Sequence, residues 1–221
     1  MDFDRIRDLA SEIPDKINKI QNEEAAKMAF VQPFISALGY DIHDPAEVKP
    51  EHPMFDSGRK NDYVDFAILR DEVPIILIEC KWDGANNIDL GNKDYYYQLK
   101  KYFNLSPAKF GILTNGILYK FFSEDLDDPG KMDKMPFLEL NLLKVKDQII
   151  TDMNVIEMKN FSKPMDIEAA KNRALYLKKM KEIRAIIAEI FNHPSEDFVR
   201  FIAKQSHVSF VNDNVVKEYT K

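Results

Sequence analysis

Three charged side chains, Asp65, Glu79 and Lys81, lie within the apolar stretch 63–81, where a purely structural role is hard to justify. The stretch consists of two runs rich in Val, Ile and Phe, each of strand length, joined by a short polar segment that allows a hairpin. Because side chains alternate along a strand, a hairpin centred near Glu72 would set Asp65 directly opposite Glu79. The sequence therefore predicts two carboxylates that face each other.

Two facing carboxylates repel each other and resist burial, and a divalent cation relieves both problems. Hard oxygen ligands on adjacent strands suit Mg²⁺ or Mn²⁺. The side chain of Lys81 lies close enough in sequence to position or deprotonate a water whose pKa the metal has lowered. The alternative is that Glu79 and Lys81 form an ordinary ion pair at a solvated strand end. The pairing with Asp65 favours the chemical interpretation.

A helix is predicted over residues 22–38, with a kink at Pro33 and a stop at Gly39. Its apolar stripe consists of Met28, Val31, Ile35 and Leu38. Extending that stripe back by one turn reaches Glu24, which should therefore point inward and is a candidate site residue. The alternative is that Glu24 is a first-turn acid that interacts with the helix dipole.

A second helix is predicted over residues 92–104, where Tyr95, Gln98 and Tyr102 come together at helical spacing. Taken alone, such a stripe is more typical of core packing than of a functional surface. The strands 110–114 and 117–122 follow.

The pair Asn115-Gly116 between those strands is typical of a two-residue type I′ hairpin. An edge strand is expected over 137–140. From Asp166 to Phe191 the pattern is helical, and Ser195 is the expected N-cap of a further helix. We therefore divide the chain into an α/β domain, residues 1–160, and a helical C-terminal extension, residues 161–221.

The composition is that of a soluble globular protein, with 45% hydrophobic and 31% charged residues. A single cysteine, Cys80, excludes an internal disulfide and fits a reducing cytoplasm. No apolar run reaches membrane-spanning length, so we expect a cytoplasmic protein without a membrane partner. The net charge of −6 argues against nucleic-acid binding through a mainly basic surface, although it does not exclude a nuclease.

The order and spacing of several local motifs resemble the PD-(D/E)XK nuclease superfamily, and within it the N-terminal nuclease region of type I restriction enzyme R subunits and related predicted type IV restriction endonucleases. The resemblance covers about residues 22–140. The motifs are Glu23-Glu24-Ala25-Ala26-Lys27, Val31-Gln32-Pro33-Phe34-Ile35 with Leu38-Gly39-Tyr40-Asp41, Val64-Asp65-Phe66, Ile78-Glu79-Cys80-Lys81 and Gln98-Leu99-Lys100-Lys101-Tyr102.

The resemblance implies a restriction-endonuclease-like core, a mixed central sheet flanked by helices, to which the helical C-terminal extension is an appendage. It implies metal-dependent hydrolysis of DNA phosphodiesters. In that interpretation Asp65, Glu79 and the backbone carbonyl of Cys80 are metal ligands, and Lys81 orients or activates water. The remaining candidates are an auxiliary acid and two residues that support the site or contact DNA, namely Glu24, Gln98 and Tyr102.

The sequence departs from the family pattern in two ways. Asp65 follows Val64 rather than the nominal proline, and no phosphate-binding loop of an ATPase occurs in the chain. We therefore expect an ATP-dependent motor on a missing C-terminal portion or a separate subunit, together with methyltransferase and specificity subunits. Two alternatives remain open: a catalytically inactive nuclease-fold module for DNA binding or complex assembly, and a metal hydrolase that acts on RNA or a small molecule.

Overall fold

A six-stranded mixed sheet forms the centre of the chain, and its strands are paired in their sequence order. We analysed a computed structural model, which describes residues 1–56, 59–86, 89–125, 127–145, 153–205 and 216. The strands are β1 (Val48–Asp56), β2 (Arg59–Arg70), β3 (Val73–Cys80), β4 (Phe110–Thr114), β5 (Leu118–Ser123) and β6 (Leu138–Asn141). Only the β3–β4 pair is parallel among them, so the predicted mixed sheet is confirmed.

The described residues also form eight α-helices, some of which cover the two faces of the sheet. They are α1 (Phe3–Lys16), α2 (Glu23–Ala26), α3 (Gln32–Ala37), α4 (Lys93–Asn104), α5 (Leu142–Val145), α6 (Met153–Glu157), α7 (Ile167–Asn192) and α8 (Glu196–Gln205). On one face, α4 contributes Leu99 to a buried cluster with Leu77 and Leu113 of the strands. On the other face, Phe34 of α3 stacks on Tyr119 with ring centroids 3.8 Å apart. The predicted α/β class with helices on both faces is confirmed.

A bulge in β3 determines on which face of the sheet Glu79 lies. The β2–β3 turn has two residues, Asp71 and Glu72, both with positive φ, as a type I′ turn requires. The pairing beside this turn shifts by one residue, since Leu69 pairs with Pro74 whereas Ile68 pairs with Ile76.

Ile75 is therefore an extra residue in β3. If Ile75 were paired regularly with Ile68, Asp65 would lie opposite Ile78, and Glu79 would face the other side of the sheet, because a one-residue slip inverts every side chain. With Ile75 in a bulge, the last regular pair is Phe66 with Ile78, and Asp65 and Glu79 are the next residues beyond it on their strands. The predicted register agrees with the structure as far as this pair, but it depends on a bulge that the sequence analysis did not foresee.

The helix predicted over residues 22–38 is interrupted by a π-helical turn, Lys27–Val31, which separates α2 from α3. The turn precedes Pro33, whose missing N–H weakens the regular hydrogen-bond ladder there. A π turn adds one residue, so the side chain that continues the stripe back from Val31 is Ala26, five residues earlier, and both are fully buried.

This extra residue corrects two expectations. Met28, predicted to lie in the apolar stripe, is 69% exposed. The side chain of Glu24, predicted to point inward, is 72% exposed, while Lys27 is buried in its place. The stop at Gly39 is confirmed, since this residue has a φ of +96° and its N–H donates to the carbonyl of Ser36.

The β4–β5 hairpin is confirmed, but its predicted two-residue type I′ turn is wrong. Thr114 pairs with Tyr119, which leaves four residues between them, and only Gly116 of the Asn115-Gly116 pair has a positive φ. The side chain of Asn115 instead accepts the N–H groups of Ile117 and Leu118, which closes the wider turn. The edge strand expected over 137–140 is confirmed as β6.

The chain divides into two compact units, Met1–Leu175 and Tyr176–Lys221. Phe161 belongs to the first unit and contacts Phe110 of the sheet with ring centroids 5.1 Å apart, so the start of the predicted extension packs on the core. The predicted helices α7 and α8 are confirmed, and Ser195 caps α8 by accepting the N–H of Phe198 at 3.2 Å.

The proposed domain boundary at residue 160 stays a prediction, and residues 206–215 and 217–221 of the extension lie outside the described residues. No helix among the residues that the structure describes is long and apolar enough to cross a membrane.

We predict that Gly116→Ala destabilises the fold more than Gly130→Ala does. The two glycines have nearly the same positive φ, +83° and +85°, so backbone strain should cost each variant about 1 kcal/mol. A Cβ at Gly116 would lie 2.5 Å from the Cβ of Phe30, whereas a Cβ at Gly130 meets nothing within 4 Å. Overpacking should therefore add about 1–3 kcal/mol to the cost at Gly116. Denaturant unfolding measures both free energies, and equal losses would contradict the close packing of the helix against this turn.

Candidate active site

The candidate site forms where β2 and β3 separate. Their backbone ladder ends at the pair Phe66 with Ile78. One residue beyond, the Oδ2 atom of Asp65 accepts the N–H of Cys80 at 2.6 Å and so replaces the carbonyl that a continuing strand would provide. The backbone N–H of Cys80 thus fixes the orientation of the Asp65 side chain. Beyond this point β3 remains held by β4, since the N–H of Lys81 donates to the carbonyl of Thr114 at 2.8 Å.

The Glu79 carboxylate is the most deeply buried charge of the site, with its side chain 2% exposed. Its Oε1 atom pairs with Nζ of Lys81 at 2.8 Å. Within the part of the chain that the structure describes, its Oε2 atom is buried without a hydrogen-bond partner. Burial raises the pKa of Glu79 to about 7, and the negative charge of Asp65 adds to the shift, while Lys81 opposes it.

Lys81 remains an ammonium in this arrangement. Burial on its own lowers the pKa of Lys81, but the charge and hydrogen bond of Glu79 outweigh it and raise the pKa above its ordinary value. Its Nζ atom also lies 5.9 Å from the ring centroid of Tyr95 on α4. The site therefore presents a fixed positive charge beside the two carboxylates.

Lys27 is a member of the site that the sequence analysis missed as a functional residue. It is 8% exposed, and its Nζ atom contacts Oδ1 of Asp65, Oε1 of Glu24 at 2.6 Å and Oε1 of Glu23 at 3.5 Å. Burial lowers the pKa of Lys27, but the hydrogen bonds with Asp65 and Glu24 outweigh it and raise the pKa.

A sequence signal for this contact exists in hindsight. Glu23 and Glu24 lie four and three residues before Lys27, the spacing of helical ion pairs. What the spacing could not show is that the π turn rotates this lysine towards the strands. Glu24 is thus connected to Asp65 through Lys27 rather than by facing the core itself.

Helix α4 brings the remaining predicted residues to the same place. Nε2 of Gln98 donates to the hydroxyl of Tyr102 at 3.1 Å, and Tyr102 is buried. Burial raises the pKa of Tyr102, and the negative charge of Glu79 contributes to the rise. Their predicted roles in support or DNA contact stay predictions.

Cys80 takes part through its backbone. Its thiol is fully buried, and burial raises the pKa of the thiol well above its ordinary value, which disfavours the thiolate form. Its N–H holds Asp65. The predicted use of its carbonyl as a metal ligand stays a prediction.

The donor set suits a hard divalent cation. Glu79 offers a buried oxygen that lacks a partner, and Asp65 raises the pKa of the same group, so a cation between them would relieve both conditions. Among the described residues, no group of three or more His, Cys, Asp or Glu side chains is placed to hold a metal. Two carboxylates are nevertheless the usual protein contribution to Mg²⁺, which keeps several waters and takes its other ligands from substrate phosphates.

Comparison with protein families places this site in a known group. The model of a family described as the type I restriction enzyme R protein N terminus matches residues 22–137, more than half of the chain and the part that contains every site residue named above. No curated protein and no solved structure matched. The chain belongs to the family of type I restriction enzyme R protein N-terminal domains. Membership supports a nuclease module of a restriction system, with DNA and other restriction subunits as its partners.

We predict that Glu79→Gln stabilises the metal-free protein at pH 8 but not at pH 4. Folding favours the protonated form of Glu79, so the contribution of this group to stability is complete below 4.5, its ordinary pKa, and is lost as the pH rises to about 7. A neutral amide should recover on the order of 1–3 kcal/mol at pH 8. Thermal unfolding of both proteins in EDTA measures the difference.

The matched control is Glu157→Gln, which also neutralises a buried carboxylate. Glu157 is 5% exposed but is fully paired, since both of its oxygens accept hydrogen bonds from Arg173. This control should lower stability at pH 8. A loss of stability in both variants would show that Glu79 is not a destabilising charge.

Proposed function

We propose that this chain is a Mg²⁺- or Mn²⁺-dependent endonuclease module that hydrolyses DNA phosphodiesters within a restriction complex. The observation that carries the proposal is the buried Oε2 atom of Glu79, which has no hydrogen-bond partner among the described residues. The same carboxylate pairs through Oε1 with the ammonium of Lys81, and the charge of Asp65 raises its pKa. Family membership supports the setting in a restriction system.

Asp65 and Glu79 would hold the cation. When bound, it would polarise the phosphodiester and lower the pKa of a coordinated water. The N–H of Cys80 keeps Asp65 in one orientation, so its ligand oxygen is preorganised. Burial of Glu79 keeps bulk water away from the second ligand and strengthens every charge interaction in the site.

Lys81 acts through its charge in this proposal. Because Glu79 raises its pKa, the side chain holds its proton at neutral pH and can stabilise negative charge on the phosphate or orient the attacking water. It could accept a proton from that water only if its pairing with Glu79 were given up. The ammonium and the carboxylate pair together match the requirements of in-line attack on a phosphodiester.

The remaining site residues have supporting roles. Tyr102 is held by Gln98 on α4 and places a hydroxyl near Glu79, where it can bind a metal-coordinated water or a DNA phosphate oxygen. Glu24 acts as an auxiliary acid that binds Lys27, which in turn contacts Asp65.

The proposal also assigns tasks to partners. With a net charge of −6 the chain has few surplus cations for phosphate contacts, so DNA should be delivered to it. We propose that an ATP-dependent motor, a methyltransferase and a specificity subunit provide translocation and sequence recognition.

We predict that Lys81→Ala abolishes cleavage while the fold and metal binding are largely retained, because the ammonium acts on water and phosphate rather than on the metal. Lys81→Arg should not restore activity, since the larger, planar guanidinium would displace the water. Cleavage of supercoiled plasmid with Mg²⁺, alongside calorimetric titration of Mn²⁺, measures both properties.

Lys163→Ala serves as the control for that experiment, because this lysine pairs with Glu47 outside the site. It should cleave as the wild type does. Full activity in Lys81→Ala would contradict the assignment of Lys81 to the active site. An inactive wild type with intact metal binding would favour a module for DNA binding or complex assembly.

We further predict that the isolated chain binds DNA weakly, without sequence preference and with a shallow salt dependence, because few phosphate contacts are available to release counterions. A mobility-shift series across salt concentrations, with Ca²⁺ in place of Mg²⁺ to suppress cleavage, measures this. Tight binding to one sequence would instead identify a self-sufficient restriction endonuclease.

A further inference from the structure

Lys27 occupies the oxygen of Asp65 that a metal would need. The two carboxylate oxygens of Asp65 are both engaged: Oδ2 accepts the N–H of Cys80, and Oδ1 contacts Nζ of Lys27. The contact is shielded, since the side chains of Lys27 and Asp65 are 10% and 13% exposed. Direct coordination of a cation by Oδ1 therefore requires this ammonium to leave.

The structure provides a place for the ammonium to go. Besides Asp65, Lys27 contacts Glu24 at 2.6 Å and Glu23 at 3.5 Å, and both belong to its own helical segment. The Glu24 side chain is largely exposed and can follow the lysine outward without disturbing the core. After leaving Asp65, the ammonium would still have two carboxylate partners, so its charge would not be left unpaired.

We infer that Lys27 is a built-in counter-cation, which neutralises Asp65 in the metal-free site and withdraws to Glu23 and Glu24 when a divalent cation binds. The inference rests on the proposed function, because it assumes that Asp65 is a metal ligand. Lys27 is a positioning residue in this scheme, since it acts through Asp65. Two measurable effects follow: Lys27 stabilises the metal-free protein, and it weakens metal binding by competing for Asp65.

Replacing Lys27 with an uncharged side chain separates this role from a structural one. A lysine that only supports the fold would, when removed, loosen the metal site and weaken binding. A competing lysine would, when removed, free Oδ1 of Asp65 and leave an additional uncompensated negative charge. We therefore expect Lys27→Met to bind Mn²⁺ about tenfold more tightly than the wild type does. In EDTA its melting temperature should be lower, because the carboxylates of Glu23, Glu24 and Asp65 then repel each other.

The experiment is calorimetric titration of the full chain with Mn²⁺, paired with thermal unfolding in EDTA. Lys163→Met removes one positive charge outside the site and should leave the affinity for Mn²⁺ unchanged. Asp65→Asn, made in the wild type and in Lys27→Met, identifies the part of the measured heat that comes from Mn²⁺ binding at this site. Lys27→Arg keeps the charge and should bind Mn²⁺ no more tightly than the wild type. Lys27→Gln is the second neutral variant if Lys27→Met does not fold.

The outcomes distinguish this inference from the proposed function. In the first outcome, Asp65→Asn abolishes Mn²⁺ binding, while Lys27→Met and Lys27→Gln bind Mn²⁺ as the wild type does or more weakly. This result overturns the role of Lys27 and leaves the nuclease proposal intact. The absence of site-specific Mn²⁺ binding in the wild type and in both neutral variants overturns the two proposals together. Tighter binding in the neutral variants, with the affinity of Lys27→Arg unchanged, establishes the competition.

Discussion

The repulsion between two carboxylates on neighbouring strands is the constraint on which the rest of this structure depends. Asp65 and Glu79 follow the last pair of the β2–β3 ladder, where water is largely excluded, and each is held by a different lysine, Lys27 and Lys81. These contacts reduce the repulsion but do not remove it, since the pKa of Glu79 is still raised to about 7 and its Oε2 atom has no partner among the described residues. A site built in this way is less stable without a divalent cation than an apolar one would be, which is the usual relation between stability and function at a preorganised centre.

Departures from regular secondary structure create the site. The extra residue Ile75 turns Glu79 to the face that Asp65 occupies, and the separation of β2 from β3 after Phe66 lets Asp65 bind a backbone N–H in place of the ladder. The π turn over Lys27–Val31 then directs an ammonium towards the same carboxylate. Each departure sacrifices regular hydrogen bonding locally, and bulges and π turns are commonly found at functional positions for this reason. A regular hairpin and a regular helix of the same length would have separated these three charged groups.

The sequence was sufficient for whatever depends on apolar periodicity and strong local signals. Strand and helix positions, the stop at Gly39 and the N-cap at Ser195 follow from local chemistry, and the family resemblance extended the prediction to the mixed sheet. It was insufficient where tertiary contacts override local preference. Asn115-Gly116 has the residues of a type I′ turn, yet the packing of Phe30 against Gly116 accompanies a wider loop. Likewise, nothing in the spacing of Met28 revealed that an inserted residue would expose it, so Lys27 was overlooked in favour of Glu24.

The proposed nuclease site and the net charge of −6 lead to different expectations for hydrolysis and for DNA binding. Hydrolysis of a phosphodiester needs only a few well-placed groups, and the proposed ones lie within residues 22–137, whereas retention of DNA needs many cations spread over a surface. If Lys27 also competes for Asp65, two factors limit cleavage by the isolated chain. DNA binds it weakly, and the ammonium of Lys27 partly neutralises the metal site. A high local concentration of DNA would overcome both limits in the proposed nuclease, since phosphate oxygens would complete the coordination of the metal and favour withdrawal of the ammonium. The electrostatics of the proposed module would thus link efficient cleavage to partners that hold DNA in place, and the unassembled chain would cleave slowly.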